Sequence, residues 1–325
     1  MPAPLKRWRV LDLGAVCARL SHGLAASFAG KLCAEYGAEV VRPIPRGEPL
    51  ASCAPLLPTG ASALDQFLNA GKQRQPPRGR FDAAIGDAVA IADHPEVPIR
   101  VRISVFGPGE DPVSTELAVL ALSGLLELIG DPGGPPARLA GHQIAYSAGL
   151  AACTGMLAAL RAGRQEIVDI SLFDVAVWLN WKAPAGLLML GQAPDRRNPR
   201  NLWTTVPAKD GHVALVFQDK DWPALRALIG DPLLGESRFS TASGRGMHRD
   251  ALLAVLRPWF AARTRAEITR DAQSRRIPIG PVMWPAEVLH AAQHRARAFL
   301  SPEGTPCLPV IWDGQRLAME QVDAD

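Results

Sequence analysis

Apolar positions set a strand–helix–strand rhythm from the start of the chain. WRVLDL (8–13) reads as a strand, and Leu24, Phe28, Leu32 and Tyr36 then recur at four-residue intervals as one helical stripe. Gly37 marks the end of that helix, and AEVVRPI (38–44) reads as the next strand. Such a β-α-β unit favours a parallel sheet. FDAAIG (81–86), IRVRISVFG (99–107) and EIVDISL (166–172) read as further strands. Residues 45–80 are rich in Pro, Gly and Arg and read as loop, apart from a short helical piece, ALDQFLNAG. One helix is expected at about 115–129. Another follows a short extended lead-in within GHQIAYSAGLAACTGMLAAL (141–160), where Leu150, Cys153, Leu157 and Leu160 fall at spacings of three, four and three. Gly163, flanked by Arg161 and Arg164, suits its C-terminus. A helix carrying Trp178 and Trp181 follows the strand at 166–172.

The texture changes near residue 195. APDRRNPRN reads as a linker, and TTVPAKDGHVALVF as a hairpin turning at Lys209-Asp210-Gly211. Three short helical patterns follow (DWPALRALIG, HRDALLAVLRPWFAA and RAEITRDAQSRR). After IPIGPV (277–282) come one more helix and a last strand near LPVIW. The pattern predicts an α/β protein with a smaller α/β domain inserted in a larger one.

Composition narrows the class. The chain has 325 residues, is 48% hydrophobic and carries a net charge of +3, too mild a bias to argue for nucleic acid or an anionic membrane surface. Five scattered cysteines (Cys17, Cys33, Cys53, Cys153 and Cys307) lack CxxC spacing, so neither a disulfide framework nor a zinc site is expected. With no apolar segment after the basic start and no long apolar run, a soluble cytoplasmic protein without a membrane span is expected.

The local motifs are sparse. FGPGED and GDPGGPP do not follow the GxGxxG order, and neither a GxSxG elbow nor a Walker loop occurs. His290 and His294 stand four apart on an expected helix without a third ligand, which reads as a basic helix end, and no metal is expected. Arg100 and Arg102 share the polar face of a strand, where ion pairing or solvent is the default and anion binding the alternative. The small residues opening the helix in 141–160 would let a ligand approach its N-terminus closely. Only His142 and Tyr146 bring polar chemistry to that point.

Several segments, in order, resemble family III CoA-transferases, the group that includes formyl-CoA transferase, carnitine CoA-transferase and α-methylacyl-CoA racemase. LDL (11–13) with LCAEYGAEVVR (32–42) resembles the opening strand and "LLADLGADVIK"; FLNAGKQ (67–73) resembles "LNRNKRS". ELAVLALSGLLELIGDPGGPPARL (116–139) resembles "DLVVQALSGLMSLTGEPDGPP", and GRQEIVDISLFDVAV (163–177) resembles "GRGQVVDVSLLDAAL". TTVPAKDGHVAL and IPIGPVMWPAEVLHAAQHRARAFL resemble the small domain's hairpin and the segment returning to the large domain.

The resemblance implies a Rossmann-like large domain built from both chain ends, here residues 1–195 and 283–325, with a small domain at 196–282. It also implies an interlocked dimer, coenzyme A as a substrate moiety rather than a tightly bound cofactor, and an acyl-CoA and a carboxylic acid as substrates. In the transferases an aspartate attacks the thioester, forming first an anhydride and then a thioester on its own carboxylate. Members read "ADYAAGL" where this chain reads IAYSAGL, so Ala145 falls on the acid's position. A one-residue slip would offer only Ile144 or Tyr146. The racemase histidine aligns with Thr115, whereas Glu116 matches an acidic position of the family. The "ENFRPG" segment that contacts CoA is essentially deleted between 86 and 99.

Three readings follow. Relocated chemistry would rest on Glu116, His142 or Tyr146. A catalytically silent subunit would form a homodimer or pair with an Asp-containing homologue as a heterodimer. A ligand-binding module would need the helix N-terminus and Arg42 and Lys72 as contacts to CoA phosphates. The competing readings are a dipole-stabilised acid for Glu116, a backbone-satisfied loop histidine for His142, and exposed charges for Arg42 and Lys72.

Overall fold

The computed structural model describes residues 3–45, 47–109, 114–197, 202–301 and 304–317. The chain divides into two compact units, Met1–Arg196 with Ser301–Asp325, and Arg197–Leu300. The first is built on a parallel sheet of β1 (Arg9–Asp12), β2 (Glu39–Arg42), β3 (Gln73–Arg74), β4 (Ala83–Asp87), β5 (Ile99–Ser104) and β6 (Glu166–Ser171). Their order is β3-β2-β1-β4-β5-β6, a doubly wound arrangement whose direction reverses between β1 and β4. The helices are α1 (Leu20–Glu35), α2 (Ala63–Asn69), α3 (Ala88–Ala92), α4 (Glu116–Leu122), α5 (Gln143–Ala162), α6 (Leu172–Leu179) and α7 (Lys182–Leu190).

Helix α1 is buried around most of its circumference, because Leu24, Ala25, Ala29 and Cys33 share one core with Val10, Ile103 and the inner face of α5. α5 is long and apolar enough to cross a membrane by length and composition, yet half of that stretch is buried as a core helix of this unit. The helix expected at 115–129 stops at Leu122. Gly124, at φ +74°, takes a left-handed conformation and turns the chain into a single 3₁₀ turn at Leu126–Leu128.

The second unit pairs β7 (Thr204–Ala208) with β8 (Gly211–Leu215) and β8 with β9 (Gly280–Pro281), all antiparallel. Around this sheet lie α8 (Trp222–Ile229), α9 (Ala242–Met247), α10 (Arg249–Ala261), α11 (Arg265–Gln273), α12 (Pro285–Leu289) and α13 (Ala292–Arg297). Val213, Leu225, Phe239, Leu252, Leu256 and Phe260 form its core. This unit continues past the expected boundary at 282 to Leu300. Arg265 of α11 holds α12 through two bonds to the Glu287 carboxylate, at 2.7 and 2.9 Å, and one to the Val282 carbonyl at 2.8 Å.

Glu287 also accepts from the Trp284 amide at 2.7 Å. Its Arg265 bonds and this amide hold the carboxyl at about 2, below its ordinary 4.5. A depressed carboxylate stabilises fully above its ordinary value and loses that contribution as pH falls through its folded value. Amide protection across 284–297 is therefore expected to fall between pH 4.5 and 2. Hydrogen exchange should show that loss in the parent and little pH dependence in Arg265→Met. The strand expected near LPVIW does not form. Pro306 and Pro309 remove ladder donors, and Trp312 and Gln315 form only an isolated bridge around the Asp313-Gly314 turn.

Candidate functional site

Thr115 caps α4 by accepting from the Ala118 amide at 3.3 Å, which leaves the next residue, Glu116, to reach across to α5. Its Oε1 accepts the Ile144 amide at 2.9 Å and its Oε2 lies 3.1 Å from Nδ1 of His142. The first amides of a helix have no intrahelical acceptor, so a carboxylate placed there satisfies one of them and meets the positive end of the helix dipole. His142 is the residue preceding α5, and its side chain is 30% exposed against 16% for Glu116. An ionised carboxylate only accepts, so Nδ1 is the donor of this contact, and in the neutral ring Nε2 is then the acceptor. Tyr146, one turn further on, meets His142 edge-on at 6.3 Å and Phe28 at 5.2 Å. Burial first, and the Glu116 charge second, raise the Tyr146 phenol above its ordinary value, so it stays protonated.

Arg19, Ser21, Thr115, Glu116, Arg138 and His142 line a cavity of about 400 Å³ beside this pair. That is room for the acyl and thioester end of a small ligand. The three candidates Glu116, His142 and Tyr146 are thus brought together. Glu116→Ala is expected to cost about 1–2 kcal/mol through the lost helix cap, measured by urea unfolding. Glu116→Gln, which keeps an acceptor for Ile144, should cost much less.

Ala145 faces the other way. It is 1% exposed and belongs to the core shared by α1 and α5, as does Ile144. The small residues of α5 serve packing: a Cβ on Gly149 would lie 2.6 Å from the Ala25 carbonyl oxygen of α1.

The phosphate contacts expected of Arg42 and Lys72 are not available. Lys72 Nζ, fully buried, donates to Asp12 Oδ2 at 2.6 Å, the Ser27 carbonyl at 2.7 Å and Asn69 Oδ1 at 2.8 Å. Burial pushes its ammonium down to about 8, against the pull of Asp12. Arg42 is equally buried, bonded to Glu48 and 3.7 Å from Asp65. All three ammonium protons of Lys72 are spent on internal acceptors. These residues tie β1, β2 and α2 together.

Sequence reasoning missed a second cavity, of about 220 Å³, lined by Arg19, His22, Asp87, Arg102, Ser104 and Asp169 at the carboxyl ends of β4 and β5. It lies on the switch-point side of the sheet, where open α/β sheets place ligands. Asp87 accepts the Ala18 amide at 2.6 Å and the Ala90 amide at 2.9 Å, with His22 at 3.8 Å. Burial raises the Asp87 carboxyl, but the nearby His22 ring and the bonds from the Ala90 and Ala18 amides outweigh it and hold the group low. An acid directly after FDAAIG, at a strand end and helix start, was the available signal. Arg102 follows the ion-pairing default, bonding Asp169 at 2.7 and 2.8 Å across β5 and β6. His290 ends α12 and His294 lies in α13, so the two do not share a helix face. Among the described residues no group of three potential metal ligands occurs.

The family model described as CoA-transferase family III matches residues 84–319. Succinyl-CoA:mesaconate CoA-transferase of Haloarcula marismortui is 28% identical over 59% of this chain and 50% of its own length. Succinyl-CoA–D-citramalate CoA-transferase of Chloroflexus aurantiacus is 26% identical over 91% of this chain and 82% of its own. Coverage of other curated relatives falls to 29% and 39% of their lengths, so the chain spans about half or less of several relatives it matches. In fold, a CAIB/BAIF family protein from Brucella suis superposes with a TM-score of 0.82 at 21% identity, covering 99% of this chain and 96% of that one. A hypothetical protein from Mycobacterium tuberculosis gives 0.76 at 20% identity, covering 97% and 95%.

Proposed function

The chain belongs to CoA-transferase family III, and from that premise we propose that it transfers CoA between an acyl-CoA and a carboxylic acid without a covalent acyl-enzyme. The carrying observation is the position aligned with the family's aspartate: Ala145 has no nucleophile and is enclosed in the core. Glu116, the carboxylate beside the cavity, has one oxygen on a helix amide and the other on His142. It is engaged as a holder rather than poised to attack. The acceptor acid then supplies the carboxylate itself. Its oxygen attacks the thioester carbon, the C–S bond breaks, and a mixed anhydride and CoA thiolate form. The thiolate attacks the acceptor-side carbonyl and the donor acid leaves. Arg19 and Arg138, both lining the cavity, suit the carboxylate and the developing oxyanion.

Initial rates test this directly. Succinyl-CoA varied at several fixed concentrations of mesaconate, D-citramalate or oxalate is expected to give intersecting reciprocal plots, the sign of a ternary complex. Parallel plots would mark a covalent intermediate and contradict the proposal.

A second reading rests on a separate observation. Trp178, Trp181 and Leu187–Leu190 expose an apolar surface on α6 and α7, and Leu188 is 85% exposed. Such a contiguous patch favours a covering partner. A homodimer, or a heterodimer with an Asp-containing homologue in which this chain is silent, would cover it. Five free thiols suit the cytoplasm as the compartment.

A further inference from the structure

We propose that the Glu116–His142 pair gives the same cavity a second activity, hydrolysis of a CoA thioester when no acid occupies the acceptor position. The inference rests on the proposed binding of a thioester at the start of α5 and goes beyond transfer. A carboxylate acceptor is already ionised and needs no base. Water does. The arrangement beside the cavity is that of a base: Nδ1 of His142 is 3.1 Å from a carboxylate whose other oxygen is fixed at 2.9 Å by a backbone amide. A carboxylate pinned at both ends fixes the tautomer and ring orientation of the imidazole, and leaves Nε2 as the acceptor in a part-exposed ring lining the cavity. Tyr146 packs edge-on against that ring and further restrains it.

The step balances with water as the sole co-reactant. A water molecule gives its proton to Nε2 as its oxygen bonds to the thioester carbonyl carbon. The tetrahedral intermediate carries its negative charge on the former carbonyl oxygen, in a cavity whose lining includes Arg19 and Arg138. Its collapse breaks the C–S bond. The proton on Nε2 passes to the departing sulfur, releasing CoA thiol and a carboxylic acid that ionises into solvent. His142 is the catalytic residue, and Glu116 is a positioning residue that acts through it.

The test measures thiol release from acetyl-CoA and succinyl-CoA with no acid added, beside calorimetric binding of a non-hydrolysable thioether analogue of each. Turnover is expected. It should fall by about 10²–10⁴-fold in His142→Ala, the range of general acid–base catalysis, and free imidazole should restore part of it. Glu116→Gln should lower kcat with little change in KM, a split that a merely structural role would not produce. In oxygen-18 water a single turnover should place the label in the released acid and none in the protein. His142→Gln, closer in volume, provides the same comparison should His142→Ala not fold. Analogue binding without thiol release would overturn this inference and leave the binding site standing. Neither binding nor release would overturn both. Release that persists in both His142 variants would place the chemistry elsewhere and sink the pair's role.

Discussion

Lys72→Met is expected to destabilise the first unit by about 3–5 kcal/mol, the cost of breaking a buried ion pair by removing one partner. Asp12 and Lys72 are both fully buried, and the ammonium is the carboxylate's charged partner at 2.6 Å. Without it, Asp12 keeps, among the described residues, the Gly14 amide at 2.8 Å on its other oxygen. The α1 backbone packs closely on this carboxylate, since a Cβ on Gly30 would lie 2.6 Å from Asp12 Oδ2. Urea unfolding of the variant should show a lower midpoint. Adding Asp12→Asn removes the stranded charge at nearly constant volume, so the double variant should be clearly less destabilised than the sum of the two single changes. Additive losses would contradict the ion-pair account. A phosphate-binding lysine would behave differently, weakening CoA affinity with little loss of stability.

That contrast shows where sequence reasoning reaches and where it stops. Local periodicity was enough for β1, α1 and β2, because Leu24, Phe28, Leu32 and Gly37 are close neighbours in the chain. The inserted hairpin was legible for the same reason, its turn lying at Lys209-Asp210. β3 was not, since Gln73–Arg74 is too short to show a period and forms only by pairing with β2. Charged residues were harder still. Lys72 finds Asp12 sixty positions away, and His142 finds Glu116 twenty-six away, separations at which no local pattern tells an ion pair from a ligand contact. Glu116, His142 and Tyr146 could be named as candidates singly. Their convergence needed α4 and α5 to be packed side by side.

The second large effect concerns chemistry, and it is close to all or none. An aspartyl acyl-enzyme needs a carboxylate within bonding reach of the thioester carbon, and reactivity falls steeply with misplacement. Position 145 carries a methyl group turned into the core, and Glu116 is fixed by Ile144 and His142. Restoring the acid does not simply restore the site. Ala145→Asp would bury a carboxylate at a position 1% exposed, and is expected to cost at least about 2 kcal/mol. The parent chain should therefore act on thioesters, by transfer or by hydrolysis, with no group attached to itself. The deciding measurement is the intact mass and peptide map of the parent chain after incubation with succinyl-CoA and acetyl-CoA and trapping with hydroxylamine. An unmodified mass is expected while thioester is consumed. A hydroxamate on Glu116, or on any other carboxylate of the chain, would contradict it.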